Sequence, residues 1–411
     1  MGRAVGYWGL YGWALALAGL GIGRAPADEP PGNDSQPVQQ AAADKAVQAD
    51  KQARARQWVT RLGADDYRER EAAARQLLAL GPSARPALQK GLQSPDLEVR
   101  VRSWSLLQEI LHSGFEAELK AFVAGVPGAT PPTGWDRFRS VVEDQPAARR
   151  LYAEMFRRDG DLIHAAIKAD RTSNWISQLQ RKISEVRSNQ MAQMKVGTVR
   201  QDKETLALLL FLTSDKCLPE DDQAYSPVIG LYSLLSYPAS DLALRDPIML
   251  KLLDAWAMGR SEGRTAYYVL EICLRKQRMK AAEVLSRKVL QSSDARSNTI
   301  PLAAMVVAKA GDLKDVPLLE RHLNNSNRFT NHHNARIRKE PIPIEVRDIV
   351  LAMLVHMTGQ KIEDYGYKHA RPDPVTVYSR YSLLFLSDAE RDQALKKWME
   401  WRKAHPKLGV K

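Results

Sequence analysis

The sequence predicts an all-α chain: an α-solenoid of stacked helical hairpins, followed by a helical C-terminal module that contains a long loop. Three observations predict it. Asp66 to Arg70 and Asp96 to Arg100 show one Asp-x-x-x-Arg spacing twice, thirty residues apart, each opening a segment of helical apolar periodicity. Leu and Ala dominate, and no alternating apolar and polar stretch bounded by turns is long enough to argue for a sheet. Helical segments follow one another across short Gly and Pro breaks, which suits antiparallel neighbours.

Residues 1–27 read as an export signal. Arg3 precedes a glycine-rich apolar run from Val5 to Gly23, and Ala25-Pro26-Ala27 fits a small-residue cleavage pattern. The run is about 18 to 20 residues long, bordering on a membrane span, so an uncleaved anchor is the second reading. Either way the folded part is expected outside the cytoplasm, periplasmic or extracellular. Residues 28–52, rich in Pro, Gln, Asp, Ala and Gly, read as a disordered linker because they offer little to bury.

The repeats are expected in 53–124. DDYREREAAARQLLALGPSARPALQKGLQ reads as a helix, a Gly-Pro break and a second helix, and SPDLEVRVRSWSLLQEIL opens the next unit. One helix pair cannot cover its own apolar stripe, so neighbours must stack. The motif resembles HEAT-like helical repeats through Asp66, Arg70, Ala72, Ala73, Leu77, Gly81, Ala84, Pro86, Ala87 and Leu88, then Asp96, Val99, Arg100 and Leu106. That resemblance implies a structural ladder in which Asp66, Arg70, Asp96 and Arg100 bridge successive units. The clear part covers 58–112.

GVPGATPPTG at 125–134 is the strongest internal break and reads as a linker. Degenerate helical repeats are expected over 135–343. Trp135, Phe138, Val141 and Val142, with Leu151 and Met155, have core spacing. Helices are expected at 162–169, 173–195, 203–213, 227–236, 247–258, 264–276, 278–290 and 301–310. Cys217 and Cys273 either pair or remain thiols, with Cys273 suited to burial. Glu220-Asp221-Asp222 lacks the alternating oxygen ligands of a calcium loop and reads as a solvated turn.

The C-terminal module is expected at 344–411. IEVRDIVLAMLVHMTG should be a buried helix stopped by Gly359 at C′, with His356 on its apolar face. A Tyr- and Pro-rich loop follows, with Tyr365, Tyr367, Tyr378 and Tyr381 expected to pack beneath it. A capping box from Ser387 to Glu390 opens the last helix, which aims Leu395, Trp398 and Trp401 or Arg402 to one side. The series VRD, LVHMTGQ, DYGY and ALKKW is similar to the end of a group of exported bacterial HEAT-repeat proteins, and implies architecture only.

The net charge of +12 would become +10 on loss of Arg3 and Arg24 with the signal. Such a surface favours anionic partners. The excess gathers in 321–339, where Arg328, His332, His333, Arg336, Arg338 and Lys339 are the candidate partner-binding residues, and again in the tail from Lys396. No catalytic, cofactor or metal motif is present: the chain lacks G-x-S-x-G, a phosphate-binding loop and H-E-x-x-H. Adjacent His332 and His333 do not suit a common ion. The expected function is a non-enzymatic interaction scaffold for a protein partner. The alternative is a binding module for an anionic envelope polymer or lipid headgroups, through 321–339 and the basic tail. Export argues against nucleic acid, and the partner's identity and the oligomeric state are open.

Overall fold

The computed structural model describes residues 35–168, 174–196, 202–214, 218, 222–259, 265–334 and 338–408. The signal region 1–27, Cys217, Glu220, Asp221 and Arg336 lie outside the described residues. The chain is 71% helical with few short strands, so the all-α expectation holds at the level of class. It divides into two compact units, 1–115 and 116–411.

In the first unit, α1 (Ser35–Arg61), α2 (Tyr67–Leu80), α3 (Arg85–Gly91) and the start of α4 (Leu97–Ala124) surround one core. Ala55, Val59 and Leu62 of α1 meet Ala73 and Leu77, Ala87 and Leu88, then Val99, Leu106, Leu107 and Ile110. The linker expectation for 28–52 is corrected from Ser35 onward. Residues 45–51 are exposed, but Lys45, Ala46, Gln48, Ala49 and Lys51 among them are strong helix formers, and propensity carries α1 through these positions. Gly63 ends the turn after α1 where a Cβ would lie 2.4 Å from Asp96 Oδ2, so only glycine admits the next repeat this closely.

The repeated motif gives the same local geometry twice, though not an Asp–Arg ladder. Asp66 caps α2 by accepting from the Arg68 N–H at 2.9 Å, and Asp96 accepts from the Glu98 N–H at 2.8 Å. Arg70 Nη1 donates to the carbonyls of Ala64 and Asp65 at 2.7 and 2.9 Å; Arg100 Nη1 donates to those of Ser94 and Pro95 at 2.7 and 2.8 Å. Each Asp therefore starts a helix and each Arg clamps the turn before it. Glutamates link the units instead. Arg102 reaches Glu71 at 2.9 Å and Glu98 at 2.6 Å, and Arg70 lies 3.5 Å from Glu98. Hydrogen bonding to Arg102 holds the Glu71 carboxyl below its ordinary value.

The second unit continues α4 and, after a segment 125–134 without helix or strand, adds α5 (Trp135–Val142), α6 (Pro146–Lys168), α7 (Trp175–Val196), α8 (Lys203–Thr213) and α9 (Asp222–Ser236). Next come α10 (Ala239–Ala243), α11 (Pro247–Gly259), α12 (Ala266–Arg275), α13 (Met279–Gln291), α14 (Ile300–Ala310) and α15 (Val316–Glu320). Two rows of non-adjacent helices pack in succession: α6, α8, α11, α13, α15 in one, and α7, α9, α12, α14 in the other. Phe122, Trp135, Phe138, Tyr152 and Phe211 interlock at one end, with Phe138 centred 4.8 Å from Tyr152 and 5.4 Å from Phe211. Cys273 is a buried free thiol.

Beyond α15 the expectation of no sheet fails. β1 (Arg328–Asn334) and β2 (Arg338–Glu345) form an antiparallel pair, so the domain boundary expected between 343 and 344 cuts a strand. α16 (Val346–Met357) then runs to Gly359, whose φ of 69° and paired bonds (Gly359 N–H to His356 O, Gln360 N–H to Val355 O) make a Schellman stop. His356 is exposed rather than set in the core. The long loop holds two-residue strands β3 (Pro372–Asp373) and β4 (Val377–Tyr378). Ser387 caps α17 (Asp388–Ala404) by accepting from the Glu390 N–H at 3.3 Å, and the Glu390 carboxylate reaches back to the Leu386 N–H at 2.9 Å and to the Ser387 backbone.

Candidate functional site

The basic segment is a hairpin rather than a loop. Along β2, Ile342, Ile344 and the following Val346 are buried while Pro341 and Pro343 alternate with them. This is strand periodicity, and the prolines disguise it. Proline cannot donate to a neighbouring strand, so it suits a sheet edge and blunts that edge against further pairing. In register, Thr330 faces Ile344, His332 faces Ile342, Asn331 faces Pro343 and Arg328 faces Glu345.

The candidate residues do not converge. His332 is half-buried with its Nε2 unpartnered, whereas His333 is exposed, as alternation in a strand requires. The two imidazoles therefore cannot share an ion, and no metal-holding cluster occurs among the described residues. Arg328 and Lys339 are exposed, and Arg338 pairs through its backbone with Asn334. The neighbouring asparagines serve the turn: Asn325 accepts from the Asn327 N–H, and the carbonyls of Asn325 and Asn327 accept from Arg347 and Val346. In the tail, Arg402 is engaged by Glu320 at 2.8 Å and Lys397 donates to the Asp364 carbonyl.

The four tyrosines of the long loop separate into two pairs. Tyr365 and Tyr367 are buried, the second packing on Phe385 and donating to the Asp348 carbonyl. Tyr378 is half-buried beside His356, and Tyr381 is 48% exposed. The β3–β4 hairpin between them turns through Val377 at a φ of 66°, a left-handed conformation that costs a β-branched residue of order 1–3 kcal/mol. Asp373 accepts from the Val375 and Thr376 N–H groups, and Lys309 of α14 donates to the Pro374 and Val375 carbonyls, pinning this tip.

One polar cluster at this tip escaped sequence reasoning. Glu271 of α12 is buried and paired with Arg380, with Arg275 at 3.8 Å and the Tyr267 hydroxyl donating at 3.4 Å. Tyr268 stands edge-on between Tyr267 and Tyr232, and Arg380 lies over the Tyr381 ring at 5.2 Å. Burial, then Glu271, pushes the Tyr267 hydroxyl up, so it remains a proton donor. The signal was a single acid in the apolar run YYVLEICLRK, whose partner lies 109 residues away.

No protein-family model, curated protein or solved structure matches the chain. What it does must come from its own geometry.

Proposed function

We propose that the chain is an exported, non-enzymatic α-solenoid scaffold, HEAT-like in 53–124, that holds a protein partner on an extended helical surface. The packing of helices on others two or three places along the chain, in two rows from α6 to α15 and from α7 to α14, is the observation that carries this reading. Stacked rows of this kind offer a long rigid surface instead of one deep site. The twice-built clamp of Arg70 and Arg100 supports the repeat assignment at the N-terminal side.

A second reading is binding to an anionic envelope polymer or headgroup surface. The exposed Arg328, His333 and Lys339 on the hairpin, in a chain of net charge +12, favour it. The test is a pull-down of the purified protein against an envelope extract, washed at low and then high salt. A discrete protein partner that survives high salt supports the scaffold. Capture of polymer or lipid alone, lost in salt and lost in an Arg328→Glu/Lys339→Glu variant, replaces it with the second reading. No retention at either salt rejects both.

A further inference from the structure

Within the second unit, the last turns of α4, the first turns of α6 and the start of α8 enclose an open groove of about 580 Å³. Its floor is apolar: Leu119, Val123, Leu151 and Ala153. Its rim is cationic, and its cations are of two kinds. Arg157 is held by Glu116 at 2.8 Å and by Glu154, and Lys203 is paired with Asp246. Lys120 and Arg150 are exposed and have no ion-pair partner among the described residues.

The rim acids have partners of their own. Glu154 pairs with Arg157, and Glu204 hydrogen-bonds Asp202, which is itself paired with Arg158 at 2.6 Å. An apolar floor under two uncompensated cations selects a ligand with an apolar body and an anionic head. The groove lies in the size range of small-molecule sites, roughly 300–1,000 Å³. A partner helix about 10–12 Å across with its side chains would need a longer trough.

We propose that this groove binds a free single-chain anionic amphiphile, with the alkyl chain along Leu119, Val123 and Leu151 and the head between Lys120 and Arg150. Neither the scaffold reading nor the polymer reading is needed for it.

The test is calorimetric titration of the full chain with dodecanoate below its micellar concentration. Dodecyltrimethylammonium serves as the cation of equal chain length, and phosphatidylglycerol vesicles as the bilayer control. The expected result is saturable one-to-one binding of dodecanoate, at least tenfold tighter than the cation. Lys120→Glu/Arg150→Glu should weaken it at least tenfold, and Ala147→Trp, at an exposed rim position, should block it. Circular dichroism checks that each variant is folded, and Arg150→Gln alone gives a milder reading if the double variant is not. Equal binding of both amphiphiles, unchanged affinity in the charge variants, no binding, or binding to vesicles alone would each overturn the proposal.

Discussion

Arg391 grips Asp348 across 43 residues of sequence, Nε to Oδ1 at 2.6 Å and Nη2 to Oδ2 at 3.2 Å, with both side chains buried. Asp348 also accepts from the Glu345 N–H at 2.9 Å, and its carbonyl receives the Tyr367 hydroxyl. One residue thus joins the end of β2, α16 and α17 through its carboxylate, and the long loop through its carbonyl. Removing Asp348 takes the fully buried partner from Arg391, which keeps Asp388 and, at 3.7 Å, Glu345, so the cost falls toward the lower end of about 3–5 kcal/mol. Asp348→Ala should lower stability by that amount in urea denaturation, and Asp348→Leu with Arg391→Met should recover much of it. A loss below about 1 kcal/mol for the single change would mean that water replaces the lost partner.

The repeat clamp gives a paired prediction. Arg70→Ala and Arg100→Ala each orphan two carbonyls of the preceding turn, and each should cost about 1–3 kcal/mol. Glu71→Gln removes only a half-buried link to Arg102, which keeps Glu98, and should cost below about 1 kcal/mol. Comparable losses from the glutamate and arginine variants, measured by denaturant midpoint, would restore the inter-unit ladder as the dominant contact.

Val377 sits at a φ that glycine adopts freely. Val377→Gly should therefore raise the thermal midpoint, or leave it level if the added chain entropy offsets the relief of about 1 kcal/mol. A clear fall in midpoint would show that the half-buried valine side chain contributes more than its backbone strain costs.

Burial pushes the Cys273 thiol up to about 12 from an ordinary 9.0. At pH 8 the native thiol should resist maleimide under conditions where urea-unfolded protein reacts fully at this position, as peptide mapping can show. Between pH 9.0 and about 12 the folded chain keeps a proton that the unfolded chain gives up. Stability contributed by this group is therefore intact below 9.0 and declines as pH rises through that window.

Much of the helical frame was legible because apolar periodicity and breaks are local. The helix expected at 203–213 is α8, Lys203–Thr213, and the one expected at 278–290 is α13, Met279–Gln291. Trp135, Phe138 and Val142 enter the core, while Val141 is only half-buried. Three features stayed hidden for separate physical reasons. α1 begins at Ser35 and its residues 45–51 are exposed, so a search for core residues passes over this stretch. The alternation of Ile342, Ile344 and Val346 is interrupted by prolines that ordinarily argue against a strand. The partners of Asp348 and Glu271 lie 43 and 109 residues away, beyond any pattern in a window of sequence. The Asp–Arg motif was visible, but its spacing could not say whether Arg100 would meet a carboxylate or a carbonyl.

Because α8 and α13 rest mainly on helices close by in the chain, and the distant partner of α11, α5, precedes it, few of their contacts wait for later sequence. Loop closure is then a minor kinetic barrier, and assembly of this body can start before its last helix exists. If the chain emerges from a narrow pore one end first, α5 to α9 can find their partners while the β1–β2 hairpin is still inside. Vectorial synthesis or transport would order the folding without a chaperone having to hold the early helices apart.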